Sequence, residues 1–236
     1  MAQNEERIQR QYEDAKAVYA GFGVDTDEAL AEFRRIPLSL HCWQGDDVKG
    51  FEDVGDVASQ NLVTGQYPGA ARNGDELRAD MDMAFRLSPC RHRVNLHSMY
   101  AEPKTPTPRN KLTTEDFRRW IEWAKANGYG LDFNASFFTH PMMADGFSLA
   151  SRRREVRDYW VEAGKGAREI AADMGRELGT PCINNIWVPD GLKDMPANRL
   201  LYREHLRESL DRIFEKRLDR SLMRDVLEGN VFGIGT

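Results

Sequence analysis

Short apolar runs alternate with longer segments of helical periodicity along most of this sequence. The runs lie at 37–43, 93–100, 130–137, 182–188 and 231–236. Between them the spacing of apolar residues predicts helices at 74–87, 113–127, 152–178 and 196–227, preceded by two N-terminal helices at 3–20 and 26–35. A strand followed by a helix, repeated, is the signature of parallel βα units. Periodicity leaves two architectures open: a closed (β/α)8 TIM barrel or an open doubly wound sheet.

The punctuation supports these boundaries. Asp25 or Thr26 is placed to cap the second helix and Asn73 the third. Thr113 with Asp116 three residues on reads as a capping box. Asn127-Gly128 and Gly179, with Pro181 beyond it, read as helix stops. Asp194 and Pro196 are expected to open the last helix, whose apolar face is Leu206, Leu210, Ile213, Phe214 and Leu218.

The strand starts are about 48 residues apart, so eight units would need roughly 380 residues, against the ~250 typical of the barrel. The 236 residues reach only about the fifth strand. A bare parallel edge is a liability that complete proteins manage. The chain is therefore expected to be a single, incomplete (β/α) barrel domain with a helical extension at 1–36, or to depend on a partner.

Composition narrows the function. Acidic residues outnumber basic ones, 38 to 33, for a net charge of −5. That argues against nucleic acid, because phosphate contacts need a basic footprint. No apolar run approaches the roughly 20 residues of a membrane span, and the polar N-terminus does not resemble a secretory leader. Cys42, Cys90 and Cys182 form no CxxC motif and read as reduced thiols of a cytoplasmic protein. Dinucleotide, phosphate-loop, zinc and serine-hydrolase motifs are absent.

In parallel architectures function collects at the C-terminal ends of strands. There this sequence places His41, Trp43, Asp46 and Asp47; His97 and Tyr100; Asp132, Asn134, Phe137 and His140; and Asn184, Asn185, Trp187 and Asp190. Aromatic faces beside imidazoles, amides and carboxylates suit a sugar, which has an apolar ring face and a rim of hydroxyls. Blander readings compete with this. His97 reads by default as a hydrogen-bonded core histidine, and Trp43 and Trp187 read equally as plugs of a barrel mouth. The acids of 46–56 read as a solvated loop, Asp132 and Asn134 as backbone ties, and Cys42 and Cys182 as buried small hydrophobes.

Longer motifs go further. His41-Cys-Trp-Gln-Gly-Asp-Asp-Val48, Thr64-Gly-Gln-Tyr-Pro-Gly69, Asn95-Leu-His97, Trp123-Ala-Lys-Ala-Asn127, Leu131-Asp-Phe-Asn134, Ala144-Asp-Gly-Phe147 and Asn185-Ile-Trp-Val-Pro-Asp-Gly191 together resemble the L-rhamnose isomerase family, in order and over essentially the whole chain. The resemblance implies a (β/α)8 barrel and a homotetrameric, cytoplasmic aldose–ketose isomerase. It implies two divalent metals, typically manganese, and interconversion of L-rhamnose and L-rhamnulose by hydrogen transfer between C1 and C2. It places Trp43 and Trp187 as walls of the sugar site and His97 as a hydrogen-bonding group near the reacting end. Val48, Met99 and Tyr100 fall where the family builds an apolar pocket for the sugar methyl, and Phe133 and Phe137 are further wall candidates.

The family's metal ligands lie beyond the segment matching Phe232-Gly-Ile-Gly235. This chain is therefore expected to match a little over half of the enzyme, to hold no metal ligand, and to be inactive alone. The region 53–63 departs from the family pattern. Three rival readings remain: a half-barrel completed by a second chain, a non-catalytic sugar-binding or assembly module, and a different metal barrel using Asp132, His140 and Asp190.

Overall fold

Five parallel strands form one sheet in sequential order among the residues that the computed structural model describes, 2–52, 68–143, 146–191 and 197–228. They are β1 (Pro37–His41), β2 (Arg91–His97), β3 (Gly130–Asn134), β4 (Cys182–Trp187) and β5 (Met223–Glu228). The order β1-β2-β3-β4-β5 never reverses. A doubly wound sheet reverses at its switch point, whereas a barrel adds each strand beside the last. The fold is α/β with the strand order of a partial (β/α) barrel.

The helices are α1 (Ala2–Ala20), α2 (Thr26–Phe33), α3 (Gly74–Arg86), α4 (Arg118–Asn127), α5 (Arg154–Leu178) and α6 (Arg199–Ile213). Asp25 caps α2 and Asn73 caps α3 by accepting from N–H groups of the first turn. Thr113 and Asp116 form the expected box, on a short 3-10 turn leading into α4. Gly128 and Gly179 close α4 and α5 in the left-handed conformation, at φ 69° and 65°, that glycine adopts without a Cβ clash. In the N-terminal extension, Tyr12 of α1 donates to Asp27 of α2 at 2.5 Å, and Lys16 pairs with the same carboxylate.

Two expectations fail at the C-terminal end. The helix predicted over 196–227 is only Arg199–Ile213, and β5 occupies residues assigned to it. Leu206, Leu210, Phe214, Leu218 and Leu222 recur every four residues, so the helical pattern runs on after the helix has stopped. Asp219 breaks it, its side chain accepting from the Ser221 N–H and its carbonyl from those of Leu222 and Met223. The helix is also capped later than expected, by Asn198 accepting from the Leu201 N–H. The strand predicted at 231–236 and the proposed cap Asp194 lie outside the described residues.

Register sorts the side chains into two faces, because partnered residues on neighbouring strands point the same way. Leu40, Val94, Leu96, Leu131, Phe133, Ile186 and Met223 share one face. It carries the hydrophobic core, packed under Leu77, Met81 and Phe85 of α3, Trp120 and Ile121 of α4, and the apolar side of α5. The opposite face carries Ser39, His41, Arg93, Asn95, His97, Asp132, Asn134, Asn185, Trp187 and Glu228.

Candidate functional site

The polar face is built in two tiers. Near the strand starts, Arg93 and Asp132 form an ion pair with Nη2–Oδ1 at 2.7 Å and Nε–Oδ2 at 2.9 Å. Asp132 also accepts from the Ser39 hydroxyl and the Ile183 N–H. Arg93 in turn donates to the carbonyls of Leu131 and Pro181. This floor joins β1 to β4. A Cβ at position 130 would lie 2.4 Å from the Arg93 guanidinium, which explains the glycine that opens β3. Asp132 is thus a structural tie, as one of the bland readings had it.

At the strand ends the character changes. His41 Nδ1 and His97 Nε2 lie 3.4 Å apart. His97 is 4% exposed, and its Nδ1 is buried with no hydrogen-bond partner. It is therefore not a satisfied core histidine. Burial, reinforced by the nearby charges of His41 and Arg109, lowers its pKa from 6.5 to about 3. Burial also lowers that of His41, with Glu228 opposing. Both imidazoles are neutral at physiological pH, each able to donate and accept. Asn185 donates to Glu228 at 2.6 Å beside them.

Aromatic rings enclose the histidines. Trp43 meets His41 at 5.6 Å between centroids, and His97 meets Tyr100 at 6.4 Å and Phe138 at 6.0 Å. Phe138 continues to Trp187 at 5.2 Å. The result is an arc from Trp43 through the two histidines and Phe138 to Trp187. The predicted site residues Trp43, His97, Tyr100 and Trp187 are brought together on it.

Met99, in the 3-10 turn after β2, is buried alongside, as is Val48 in the turn after β1. Asp46 holds this turn by accepting from the N–H groups of Val48 and Gly50 and from the Tyr100 hydroxyl, at 3.1, 2.7 and 2.7 Å. Asp46 and Asp47 are 1% and 5% exposed, so the reading of these two acids as a solvated loop is corrected. Asp47 and Val48 both stand at φ 61°. That is strained for a β-branched valine, and such strain persists only where surroundings over-determine it.

Two wall candidates do not join. Phe133 lies on the helix side of β3, its ring 5.0 Å from that of Phe117. Phe137 packs on Trp160 of α5 at 5.7 Å. The strand alternation of 130–134 already puts Phe133 opposite Asp132 and Asn134. Phe138, one residue beyond the predicted Phe137, is the ring that faces His97. Its signal was the end of β3 at Asn134, whose side chain turns back to accept from the Ser136 N–H and ends the alternation.

The residues of the rival metal reading are dispersed. Asp132 belongs to the floor. His140 stacks on Tyr159 and accepts from the Met142 N–H, and Asp190 accepts from the N–H groups of Ser148 and Ala150. Among the described residues no group of three or more His, Cys, Asp or Glu side chains could hold a metal ion. The described residues therefore do not fit the metal centre that the resemblance implies. A cavity of about 650 Å³ lies beside the arc, lined by Phe51, Glu52, Lys104, Arg109 and His140 among others, and not by His97 or Trp187. No helix among the described residues is long and apolar enough to cross a membrane.

The sequence matches the family described as L-rhamnose isomerase over residues 6–236. The chain belongs to the L-rhamnose isomerase family. Curated relatives named L-rhamnose isomerase from Escherichia coli O17:K52:H18 and Klebsiella pneumoniae strain 342 are each 46% identical to it over 230 residues. Those alignments cover 97% of this chain and 55% of each relative. The chain thus spans a little over half the length of the L-rhamnose isomerases it matches.

Proposed function

We propose that these residues form the sugar-holding part of an aldose–ketose isomerase that interconverts L-rhamnose and L-rhamnulose. One observation carries the reading: a buried, neutral His97 with an unpartnered ring nitrogen stands inside an arc of aromatic rings, in a chain of this family. A buried polar atom without a partner is costly unless something supplies one, and a sugar hydroxyl supplies it.

The roles of the individual residues follow the family resemblance. His97 hydrogen-bonds a sugar oxygen near the reacting end. Trp43, Trp187 and Phe138 cover the apolar ring face and keep water from it. Val48, Met99 and Tyr100 form the apolar pocket for the sugar methyl. Such a pocket discriminates by only about 1–3 kcal/mol per methyl, so orientation rests on the polar groups. The reading extends to a cytoplasmic homo-oligomer that uses a divalent metal, manganese by resemblance. The metal would supply Lewis-acid stabilisation of charge on the sugar oxygens, and no described residue is assigned to it.

The test is calorimetric titration of residues 1–236 with L-rhamnose in EDTA, which separates sugar binding from metal chemistry. Saturable binding that weakens with Trp187→Ala is expected. A flat titration of the unaltered, folded chain would refute the proposal.

A further inference from the structure

Arg109 is a buried cation that the sugar-site reading leaves without a role. Its side chain is 1% exposed. It lies in the stretch after β2, and its guanidinium reaches into both neighbouring loops. Toward the loop after β1 it pairs with Glu52 through Nε and Nη2. Toward the loop after β3 it donates to the carbonyls of Ser136, Phe138 (2.7 Å) and Thr139 (3.4 Å). Three of the loops at the strand ends therefore converge on one charge. The face of Trp160 backs it at 5.7 Å.

The loop it grips is strained. Ser136 and Thr139 stand at φ 53° and 50°, a left-handed conformation for residues that are not glycine. Each such residue costs on the order of 1–3 kcal/mol and needs its surroundings to hold it. Asn134 holds the loop's start by accepting from the Ser136 N–H and Ser98 by donating to the Ala135 carbonyl, and the guanidinium draws the carbonyls at 136, 138 and 139 inward. The residue so fixed is Phe138, between His97 and Trp187. Burying a charge merely for stability is a poor bargain against apolar packing. A planar five-donor fork meeting a carboxylate and three carbonyls at once is a geometric device, and lysine, with one nitrogen, cannot reproduce it.

We propose that Arg109 is a positioning residue that sets Phe138 against His97 and thereby completes the aromatic arc. This deepens the sugar-site reading, and only its binding arm rests on that reading.

The experiment compares Arg109→Lys, Glu52→Gln and Phe138→Leu in the full chain. It follows the imidazole proton signals of the five histidines by NMR, with His97 assigned by its loss in a His97→Leu variant. Removing the Phe138 ring moves the His97 signal through the lost ring current. Arg109→Lys is expected to move it in the same direction while the melting curve stays cooperative, and to weaken L-rhamnose binding roughly tenfold, since small misplacements at a site are costly. Glu52→Gln keeps the cation and its carbonyl bonds, and is expected to give a smaller shift of the same sign. It decides the matter if Arg109→Lys does not fold. A His97 signal that moves in Phe138→Leu but stays put in the Arg109 and Glu52 variants would overturn the positioning role. Absence of sugar binding in the unaltered chain would refute the function reading, while the His97 signal would still decide this one.

Discussion

The floor and the mouth of the polar face use similar residues to opposite ends. At the floor, each oxygen of Asp132 accepts two hydrogen bonds, from Arg93, Ser39 and Ile183. Four strands are tied there by groups that satisfy one another. At the mouth, four residues beyond Arg93 on β2, His97 Nδ1 is buried with no partner. The Asp132 carboxylate at the floor is thus fully satisfied, whereas His97 at the mouth keeps a buried ring nitrogen without a partner. A satisfied cluster stabilises the fold, whereas an unsatisfied one costs free energy that a ligand can return.

The largest test of this contrast is at the floor. Arg93→Met leaves the Asp132 carboxylate, whose side chain is 5% exposed, without its counter-charge. Breaking a buried pair in this way is expected to cost about 3–5 kcal/mol, read as a fall in the denaturant midpoint. A chain that keeps its stability would show that the floor is no tie, and the two tiers would then not differ in kind.

A smaller effect separates the tiers by pH. His97 and His140 take protons in the unfolded chain near 6.5, but in the folded chain only near about 3 and about 4, chiefly because of burial. Between those values the unfolded state binds more protons, so stability must fall as pH drops from about 6.5 toward 4. Asp46 works against this slope, because burial raises its carboxyl above 3.8 and the folded chain then takes that proton first. Denaturant midpoints measured from pH 7 to 4 should decline, and His97→Leu should flatten the decline. A midpoint rising toward acid would put the ionised groups of the mouth in a different state from the one described.

Much of this arrangement was legible in the sequence, and the failures share a cause. Alternation and capping signals located β1 to β4 because their residues answer to local rules: Asn73, Thr113, Asp116, Gly128 and Gly179 act within a turn or two. His97, Trp43 and Trp187 stood out as candidates because strand ends are where parallel folds gather functional side chains. Phe133 was misplaced because its strand phase was not applied to it, and Phe138 was missed because the chain turns at Asn134. The Leu218 and Leu222 spacing imitated a helix where Asp219 makes a turn. Arg109 carried no signal, since its partners stand 57 residues before it and 27–30 after it.

The smallest expected effect on stability is the sharpest test of the mouth. His97→Leu replaces a buried imidazole by an apolar side chain of similar bulk, in a setting of Tyr100, Phe138 and Cys42. The variant removes a buried atom that has no partner, and His41, only half-buried, can turn to water. Stability should therefore stay within about 1 kcal/mol, because a penalty disappears together with one weak bond. Affinity for L-rhamnose should nevertheless fall about tenfold, the worth of one net hydrogen bond of roughly 1.4 kcal/mol. Denaturation and calorimetry on the same preparation read both numbers. A large loss of stability would make His97 a structural residue like Asp132. Unchanged affinity would mean that its free nitrogen faces no sugar hydroxyl, and the difference between floor and mouth would then concern packing alone.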